Sequence, residues 1–215
     1  MKDDAWALVQ LKELEEKLSA TRAATICALA QLLELKDFYT GCHSTRMAEW
    51  AVRVARDVGM DETLIYDVEV AALLHDIGKV GIHDAILKKE GKLSDEERAL
   101  MQRHPEYGWA ILRVFPDLEQ AALFVLHHHE RYDGTGYPGR LKEKEIPLGA
   151  RIVSLIDAFD AMVSSRPYRK GLPSDEAVRR LLEASGTQFD PEVVQGFIPI
   201  VSEEALSPAG RAMHF

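Results

Sequence analysis

The sequence predicts an all-α fold, a helical bundle of about seven to nine helices. Apolar residues recur at intervals of three and four residues through most of the chain, which is the period of amphipathic helices. No segment alternates apolar and polar residues over a length that would indicate a strand. Capping residues, Gly and Pro divide the helical stretches, so each helix can be assigned from its ends.

The first 36 residues are predicted to form one long helix. A 3-4 spacing runs through it without a break and is typical of a coiled-coil seam, weakened in the middle by two threonines. This seam comprises Leu11, Leu14, Leu18, Thr21, Thr25, Ala28, Leu32 and Leu35. Two interpretations stay open: the helix packs on the domain, or residues 1–20 extend from it as a stalk for homodimerisation or toward an upstream domain. We divide the chain into an N-terminal helical extension (1–20), one main domain (21–201) and a C-terminal tail (202–215).

The next helices are predicted at 43–58, with Gly59 as C-cap, and at 62–75, with Asp61 as N-cap. A loop is expected over 78–93. Ser94 and Glu97 have the spacing of a capping box, so a helix starts there and is expected to end near Pro105, with His104 closing it. Further helices are predicted at 106–114, 117–129, 149–164, 175–185 (capped by Ser174) and from residue 191 onward.

Composition excludes several classes of protein. The chain has 215 residues, 47% of them apolar and 28% charged, which excludes a disordered or collagen-like chain. Its net charge of −9 argues against a general nucleic-acid binder. No apolar run reaches the roughly 18 residues of a membrane span. Two cysteines, Cys27 and Cys42, provide no disulfide framework, so we expect a cytoplasmic location.

Ionisable residues stand where apolar helices end or run through the core. His75 and Asp76 end the apolar stretch 70–74, and Asp157 interrupts the apolar stretch 152–156. Buried ionisable groups are costly unless they are paired, hydrogen-bonded or bound to metal. Seven such groups favour a metal site: His43, His75, Asp76, His104, His128, His129 and Asp157. Imidazole with carboxylate suits iron, manganese, zinc or nickel, and seven ligands suit a pair of ions of the kind that hydrolyses phosphoesters.

Four sequence blocks resemble a known family. HDIGKVGI at 75–82 resembles the phosphohydrolase core of the HD superfamily, and HHERYDGTGYP at 128–138 matches the signature of the HD-GYP subfamily. DAFDAM at 157–162 and SRPYR at 165–169 match two further blocks. The resemblance covers roughly residues 20–200, and the order of the blocks makes it specific.

The resemblance implies an HD-domain helical bundle and a cyclic di-GMP phosphodiesterase of bacterial second-messenger signalling, which opens the dinucleotide to pGpG and in some members cuts on to GMP. It implies that the seven residues bind two divalent ions, iron or manganese, with Asp76 as the bridging ligand. Asp76 and Lys79 would be catalytic, and Lys79 would stabilise charge at the scissile phosphate. Substrate would be held by Lys79, Arg166, Arg169 and by the Gly136, Tyr137 and Pro138 loop, in which Gly134 and Gly136 permit positive φ.

One departure from the family concerns metal number. Some members bind a third ion through a Glu four residues before the first ligand histidine, and Tyr39 stands at that position here. We therefore expect two ions per chain. Diguanylate-cyclase (GGDEF) domains are expected partners, and neither nucleic acid nor membrane is. Two alternatives stay open: turnover of another cyclic dinucleotide such as cyclic GMP-AMP, and a non-catalytic domain that senses the nucleotide or binds a partner.

Overall fold

A computed structural model of the chain describes residues 2–36, 43–165 and 170–206, with the side chains of 2–5, 7, 43 and 204–206 left out. These residues form helices and no strand, which confirms the all-α prediction; one isolated bridge joins Ser185 and Phe189. Nine helices of seven residues or more, and one short turn, lie in these ranges. The helices are α1 (Lys2–Lys36), α2 (His43–Asp57), α3 (Glu62–Leu74), α4 (Asp84–Leu87), α5 (Asp95–Met101), α6 (His104–Leu112), α7 (Glu119–His127), α8 (Leu148–Val163), α9 (Ser174–Glu183) and α10 (Pro191–Leu206).

The structure confirms three of the helix ends that the sequence predicts. The Asp61 carboxylate accepts the Thr63 amide at 2.8 Å and starts α3. Ser94 and Glu97 form a reciprocal capping box at α5. Gly59 follows α2 with φ +73°, and the amide of the next residue, Met60, donates to the Ala55 carbonyl, which is the hydrogen-bond pattern of a Schellman motif.

The predicted helix boundary at residues 104–105 is wrong. His104 opens α6 instead of closing the preceding helix, and Pro105 lies in the first turn of α6. Proline is tolerated there because the first-turn amides have no partner within the helix. Sequence reasoning treated Pro105 as a terminator, whereas it acts as a start.

Two smaller corrections concern a loop and a cap. The expected loop 78–93 contains a 3₁₀ segment, Ile77–Gly81, followed by α4, whose first turn is capped by the His83 imidazole. Ser174 lies inside α9, and no side-chain hydrogen bond caps this helix. The Pro173 carbonyl already accepts the Ala177 amide at 3.0 Å, so the helical hydrogen bonds begin one residue earlier than expected.

The core lies between α2, α3, α7 and α8, and α10 closes one side of it. Three aromatic rings mark the contact of α2, α8 and α10: Trp50 lies 5.4 Å from Phe159 and 5.8 Å from Phe197 between ring centroids. These edge-to-face contacts bury large apolar surfaces and fix the spacing of the three helices. On the opposite side, α6 packs on α7 and on the 3₁₀ segment.

The long helix α1 contacts the domain through its second half. Ile26, Ala30 and Leu33 are buried, and Arg22 pairs with Asp117 at 3.1 Å. Every described side chain from residue 8 to residue 20 is exposed. The predicted seam faces away from the domain, with Leu18 68% and Leu35 77% exposed.

At the other end of the chain, α10 continues through Leu206, past the expected start of the tail at 202, and residues 207–215 lie outside the described part. Among the described helices, none combines the length and apolar character needed to cross a membrane.

Candidate metal centre

Ionisable side chains from four helices meet at one point in the bundle. His75 ends α3 and Asp76 follows it, directly before the 3₁₀ segment. His104 begins α6 and His128 ends α7, with His129 next. Asp157 lies in the interior of α8. Six of the seven candidate ligands therefore come together.

Distances show how compact the cluster is. The Nε2 atoms of His104 and His128 are 3.4 Å apart. One ring nitrogen from each of His104, His128 and His129 lies within 4.8 Å of the other two. The Asp157 carboxylate comes within 3.7 Å of His75 Nε2. Imidazole and carboxylate groups at such separations match the donor set expected for a divalent transition metal.

The Asp76 carboxylate lies in the middle of this cluster. One oxygen is 3.4 Å from His75 Nε2 and the other is 3.4 Å from His104 Nε2. Lys79 Nζ approaches the same carboxylate at 2.6 Å. A carboxylate whose two oxygens face different histidines has the geometry that a bridging ligand requires.

The histidines are oriented by backbone carbonyl groups. Nδ1 of His75, His104 and His128 lies 2.9, 2.9 and 2.6 Å from the carbonyl oxygen three residues earlier, in Ala72, Met101 and Val125. A carbonyl only accepts hydrogen bonds, so Nδ1 carries a proton, and in the neutral ring that metal binding requires Nε2 keeps its lone pair. This second hydrogen bond is what orients metal-binding histidines in general. The residues present therefore fit a metal site.

The electrostatics of the cluster favour the neutral imidazole at His104, His128 and His129 and the charged imidazole at His75. Burial, then the neighbouring histidines, lower the pKa of His129 to about 4 and that of His128 well below its usual value, and burial also lowers the pKa of His104. Burial opposes protonation of His75 too, but the Asp76 and Asp157 carboxylates outweigh it and raise its pKa to about 9. Burial alone would raise the pKa of Asp76, yet Lys79 and His75 hold it well below the usual range.

The Gly/Pro-rich loop 133–139 closes over the cluster. The Tyr137 ring lies 5.0 Å from the His129 ring between centroids, and the Tyr137 amide donates to the His129 carbonyl. Gly134 has the expected positive φ of +81°, but Gly136 does not. At Gly136 a Cβ would lie 2.3 Å from the Arg131 amide nitrogen, so glycine is required there by close backbone approach, and the expectation of positive φ is wrong.

Sequence reasoning assigned no role to Glu130, which holds this loop. Its side chain is fully buried and accepts the amides of Gly139 at 2.5 Å and Leu141 at 3.2 Å. His127 Nδ1 lies 3.5 Å from the same carboxylate. The sequence contains one signal for this role. Glu130 directly follows the candidate ligands His128 and His129, in a stretch that has to be buried to hold them.

Several candidate residues fall outside the described part of the structure. Arg166 and Arg169 do, as does Tyr39, and so does the side chain of His43, whose backbone starts α2. Lys79, Gly136, Tyr137 and Pro138 are described, and the first three lie at the cluster. Pro138 lines a groove on the outer side of the loop together with Arg103, Tyr107, Trp109, Leu126 and His127.

Comparison with known proteins gives one family and several relatives. The family model described as "HD domain" matches residues 27–193. The chain is 44% identical over 177 residues to a cyclic di-GMP phosphodiesterase of Thermotoga maritima, covering 81% of this chain and 48% of that protein. It is 39% identical over 193 residues to the cyclic di-GMP phosphodiesterase response regulator RpfG of Xanthomonas campestris, covering 89% of this chain and 50% of that protein.

A further relative acts on a different dinucleotide. The 3'3'-cGAMP-specific phosphodiesterase 2 of Vibrio cholerae is 37% identical over 190 residues, covering 87% of this chain and 35% of that protein. Among solved structures, the cyclic GMP-AMP specific phosphodiesterase V-cGAP3 of V. cholerae matches with a TM-score of 0.67 at 20% identity, over 88% of this chain and 52% of that one. The chain thus spans between about a third and about half of the length of these proteins.

Proposed function

This chain belongs to the HD-GYP group of the HD domain family, and from that membership we propose that it is a metal-dependent cyclic di-GMP phosphodiesterase. The reaction is hydrolysis of one phosphodiester bond of the cyclic dinucleotide to give linear pGpG, with a second cleavage to GMP as a further step. The relatives at 39–44% identity are named for this activity. The single observation that carries the proposal is the cluster at Asp76, where candidate ligands from four helices lie within contact distance of one another.

The proposed cofactors are two divalent ions, iron or manganese, held by His43, His75, Asp76, His104, His128, His129 and Asp157, with Asp76 shared between them. Ions of this kind supply a water-derived nucleophile at neutral pH and Lewis acidity toward phosphoryl oxygens. The opposed faces of the Asp76 carboxylate support the shared role. Three tightly held ions per chain in a metal analysis would contradict the two-ion proposal.

The other residues bind and orient the substrate in this proposal. Lys79 Nζ, which lies beside Asp76, stabilises negative charge that develops on the phosphoryl oxygens. Arg166 and Arg169 hold phosphate or guanine through their guanidinium groups. Tyr137, fixed over His129 by the Gly136 and Pro138 loop, limits how deeply the dinucleotide enters and keeps bulk water from the site.

The decisive experiment is anaerobic purification with metal quantification, followed by product analysis on cyclic di-GMP. We expect pGpG as product, and loss of both metal and turnover in Asp76→Ala. Asp95→Ala, which removes an exposed carboxylate from the first turn of α5, is the matched control and should keep both. An active, metal-replete Asp76→Ala protein would refute the shared-ligand role.

The choice of dinucleotide needs its own test, because a relative that is 37% identical is named for cyclic GMP-AMP. We expect faster turnover of cyclic di-GMP than of 3'3'-cyclic GMP-AMP in a side-by-side assay. Faster turnover of 3'3'-cyclic GMP-AMP than of cyclic di-GMP would identify 3'3'-cyclic GMP-AMP as the preferred substrate instead. Tight binding of cyclic di-GMP by the metal-loaded protein with no turnover would favour a sensing domain instead.

We also propose that the exposed seam of α1 pairs with a second copy of the chain. Leu11, Leu14 and Leu18 keep the 3-4 spacing of a coiled coil and are each more than half exposed. Sedimentation should report a dimer for the wild type and a monomer for Leu14→Glu/Leu18→Glu. Lys12→Glu, outside the seam, should remain dimeric. A monomeric wild type would contradict the pairing.

Diguanylate-cyclase (GGDEF) domains are the proposed protein partners, with the groove beside Pro138 as the docking surface. Arg103 stacks on the Tyr107 ring at 4.9 Å there and pairs with Glu106 at 3.4 Å, which provides an aromatic surface that carries both charges. Calorimetric binding of a purified GGDEF domain that Arg103→Glu abolishes would support this. The cytoplasmic location expected from the cysteines stays a prediction.

A further inference from the structure

Two side chains near the end of α1 reach the segments on either side of the candidate metal centre. Lys36 Nζ donates to the carbonyl oxygens of Lys79 at 3.0 Å and Val80 at 3.2 Å, and lies 3.5 Å from that of Ile82. Glu34 Oε1 accepts the Ser44 amide at 2.9 Å, one residue after His43. The end of α1 therefore touches both the 3₁₀ segment Ile77–Gly81 and the start of α2.

The Lys36 contact adds a charged donor at the end of the 3₁₀ segment, where the Lys79 carbonyl also accepts the Ile82 amide at 3.0 Å. Most carbonyl groups in the last turn of a helix accept no hydrogen bond from an amide of that helix. They also carry the negative end of the helix dipole. A single ammonium group over these carbonyls supplies both the hydrogen bonds and the opposite charge. Charge-assisted hydrogen bonds of this kind are about twice as strong as neutral ones.

The same segment carries the group closest to the Asp76 carboxylate. Lys79 lies within it, and its Nζ is 2.6 Å from Asp76 Oδ2. The Lys79 amide also donates to the Asp76 carbonyl at 2.9 Å. Any shift of the segment therefore moves Lys79 and Asp76 relative to His104 and His128, which belong to other helices.

On its opposite side the segment is held by packing. A Cβ at Gly78 would lie 1.9 Å from the His104 carbonyl oxygen and 2.5 Å from the Gly108 amide nitrogen, so backbone lies directly on backbone. The α6 side is thus fixed by contact, and the α1 side is fixed by the Lys36 ammonium group. Lys36 is the hydrogen-bonding link from the described part of α1 to this segment.

We propose that Lys36 is a positioning residue, which holds the 3₁₀ segment so that Lys79 and Asp76 stand in register with the histidine cluster. It acts through the backbone of the segment and touches neither metal nor substrate. Lys36 belongs to α1, the helix whose seam is exposed. A change in the position of α1 is therefore transmitted through Lys36 and the 3₁₀ segment to the candidate metal centre. The catalytic consequence rests on the proposed function, whereas the ordering of the segment does not.

The test compares Lys36→Met, Lys36→Arg and the control Lys12→Met, which removes an exposed lysine from the same helix. We expect Lys36→Met to lower kcat on cyclic di-GMP about tenfold or more, as the loss of charge-assisted hydrogen bonds predicts, with KM little changed. Lys36→Arg should recover most of kcat. Hydrogen exchange should speed up in residues 76–87 of Lys36→Met and nowhere else, and Lys12→Met should match the wild type.

Three results would overturn the proposal. They are wild-type kcat in Lys36→Met, unchanged exchange in 76–87, and a loss of protection spread over the whole chain that Lys36→Arg does not restore. The last would mean that Lys36 only stabilises the fold. If the wild type hydrolyses no cyclic dinucleotide, the proposed function fails, and the exchange comparison alone then decides whether Lys36 orders the segment.

Discussion

Three histidines of the cluster, His75, His104 and His128, are set by the backbone that precedes them. Each donates Nδ1–H to the carbonyl three residues back, at the end of a helix where such carbonyls lack a partner. One hydrogen bond thus completes a helix end and directs Nε2 toward the centre. This arrangement is local, so the position of a histidine one to three residues past the end of a helix is meaningful in the sequence itself.

Glu130 shows how one buried carboxylate can hold a functional loop. We expect Glu130→Gln to destabilise the fold by about 1–3 kcal/mol, because the side-chain amide keeps one acceptor oxygen and turns an NH2 donor toward one of the Gly139 and Leu141 amides. Turnover should fall with it, since the loop carries Tyr137. Chemical denaturation and kcat measure the two effects. Glu143→Gln, an exposed change in the following segment, should alter neither, and a neutral Glu130→Gln would disprove the role.

Gly136 is a residue whose identity follows from packing. In Gly136→Ala the new Cβ would lie 2.3 Å from the Arg131 nitrogen and 2.6 Å from the Glu130 Cα, and backbone cannot yield as a side chain can. We expect lost turnover and a fall in stability larger than in Gly91→Ala. That control carries the strain of φ +111° with nothing within 4 Å of its Cβ. Equal thermal shifts in the two variants would show that no clash occurs.

At the scale of elements, an ion pair between a half-buried arginine and a buried aspartate joins α2 to α8, the helices that carry His43 and Asp157. Asp160 is fully buried and pairs with Arg46, while Ser164 donates to the same carboxylate at 2.9 Å. Removing one partner of a fully buried pair leaves the other charge without compensation, and typical losses are about 3–5 kcal/mol. Because Arg46, the charge left behind, is 32% exposed, we expect Asp160→Asn to cost less than that range but more than an exposed pair in urea unfolding, and to weaken metal binding.

The matched comparison is an exposed ion pair on the same helix α2. Arg53 meets Glu203 of α10 at 2.7 Å, with the two side chains 41% and 70% exposed. Exposed pairs contribute about 0–1 kcal/mol because solvent screens them. Glu203→Gln should therefore leave both stability and metal affinity near wild type. A loss equal to that of Asp160→Asn would mean that burial does not distinguish the two pairs.

At the scale of the whole molecule, metal should bind the folded chain and stabilise it. Metal at about 100 times its Kd adds about 2.7 kcal/mol, which for a domain of this size raises Tm by about 5–10 °C. Adding Mn²⁺ to metal-free wild type should produce this rise, and His128→Ala should show none. His83→Ala, which removes the cap of α4, should keep the full response. A metal-independent Tm in the wild type would contradict a resident site.

The net charge of −9 is a property of the whole chain, and it does not describe the charge at the candidate metal centre. Acidic side chains lie mostly on the exposed faces of helices, where they repel anionic polymers. At the cluster, Lys79 lies beside Asp76, and the imidazole nitrogens can bind metal cations. An acidic chain can therefore be expected to bind a small anionic substrate where metal charge is concentrated, and the absence of binding to long nucleic acids stays a prediction.

The sequence by itself determined the all-α class, the capped ends of α3 and α5, and the residue types of the candidate metal centre. These properties depend on neighbours within one or two turns, so periodicity and spacing are enough to reveal them. Tertiary structure decided that His104 opens α6, that Gly136 is needed for close approach, and that the α1 seam faces outward. It alone revealed the contacts of Glu130 and Lys36, because these join segments whose distance in space is set by packing and is not written in any local pattern.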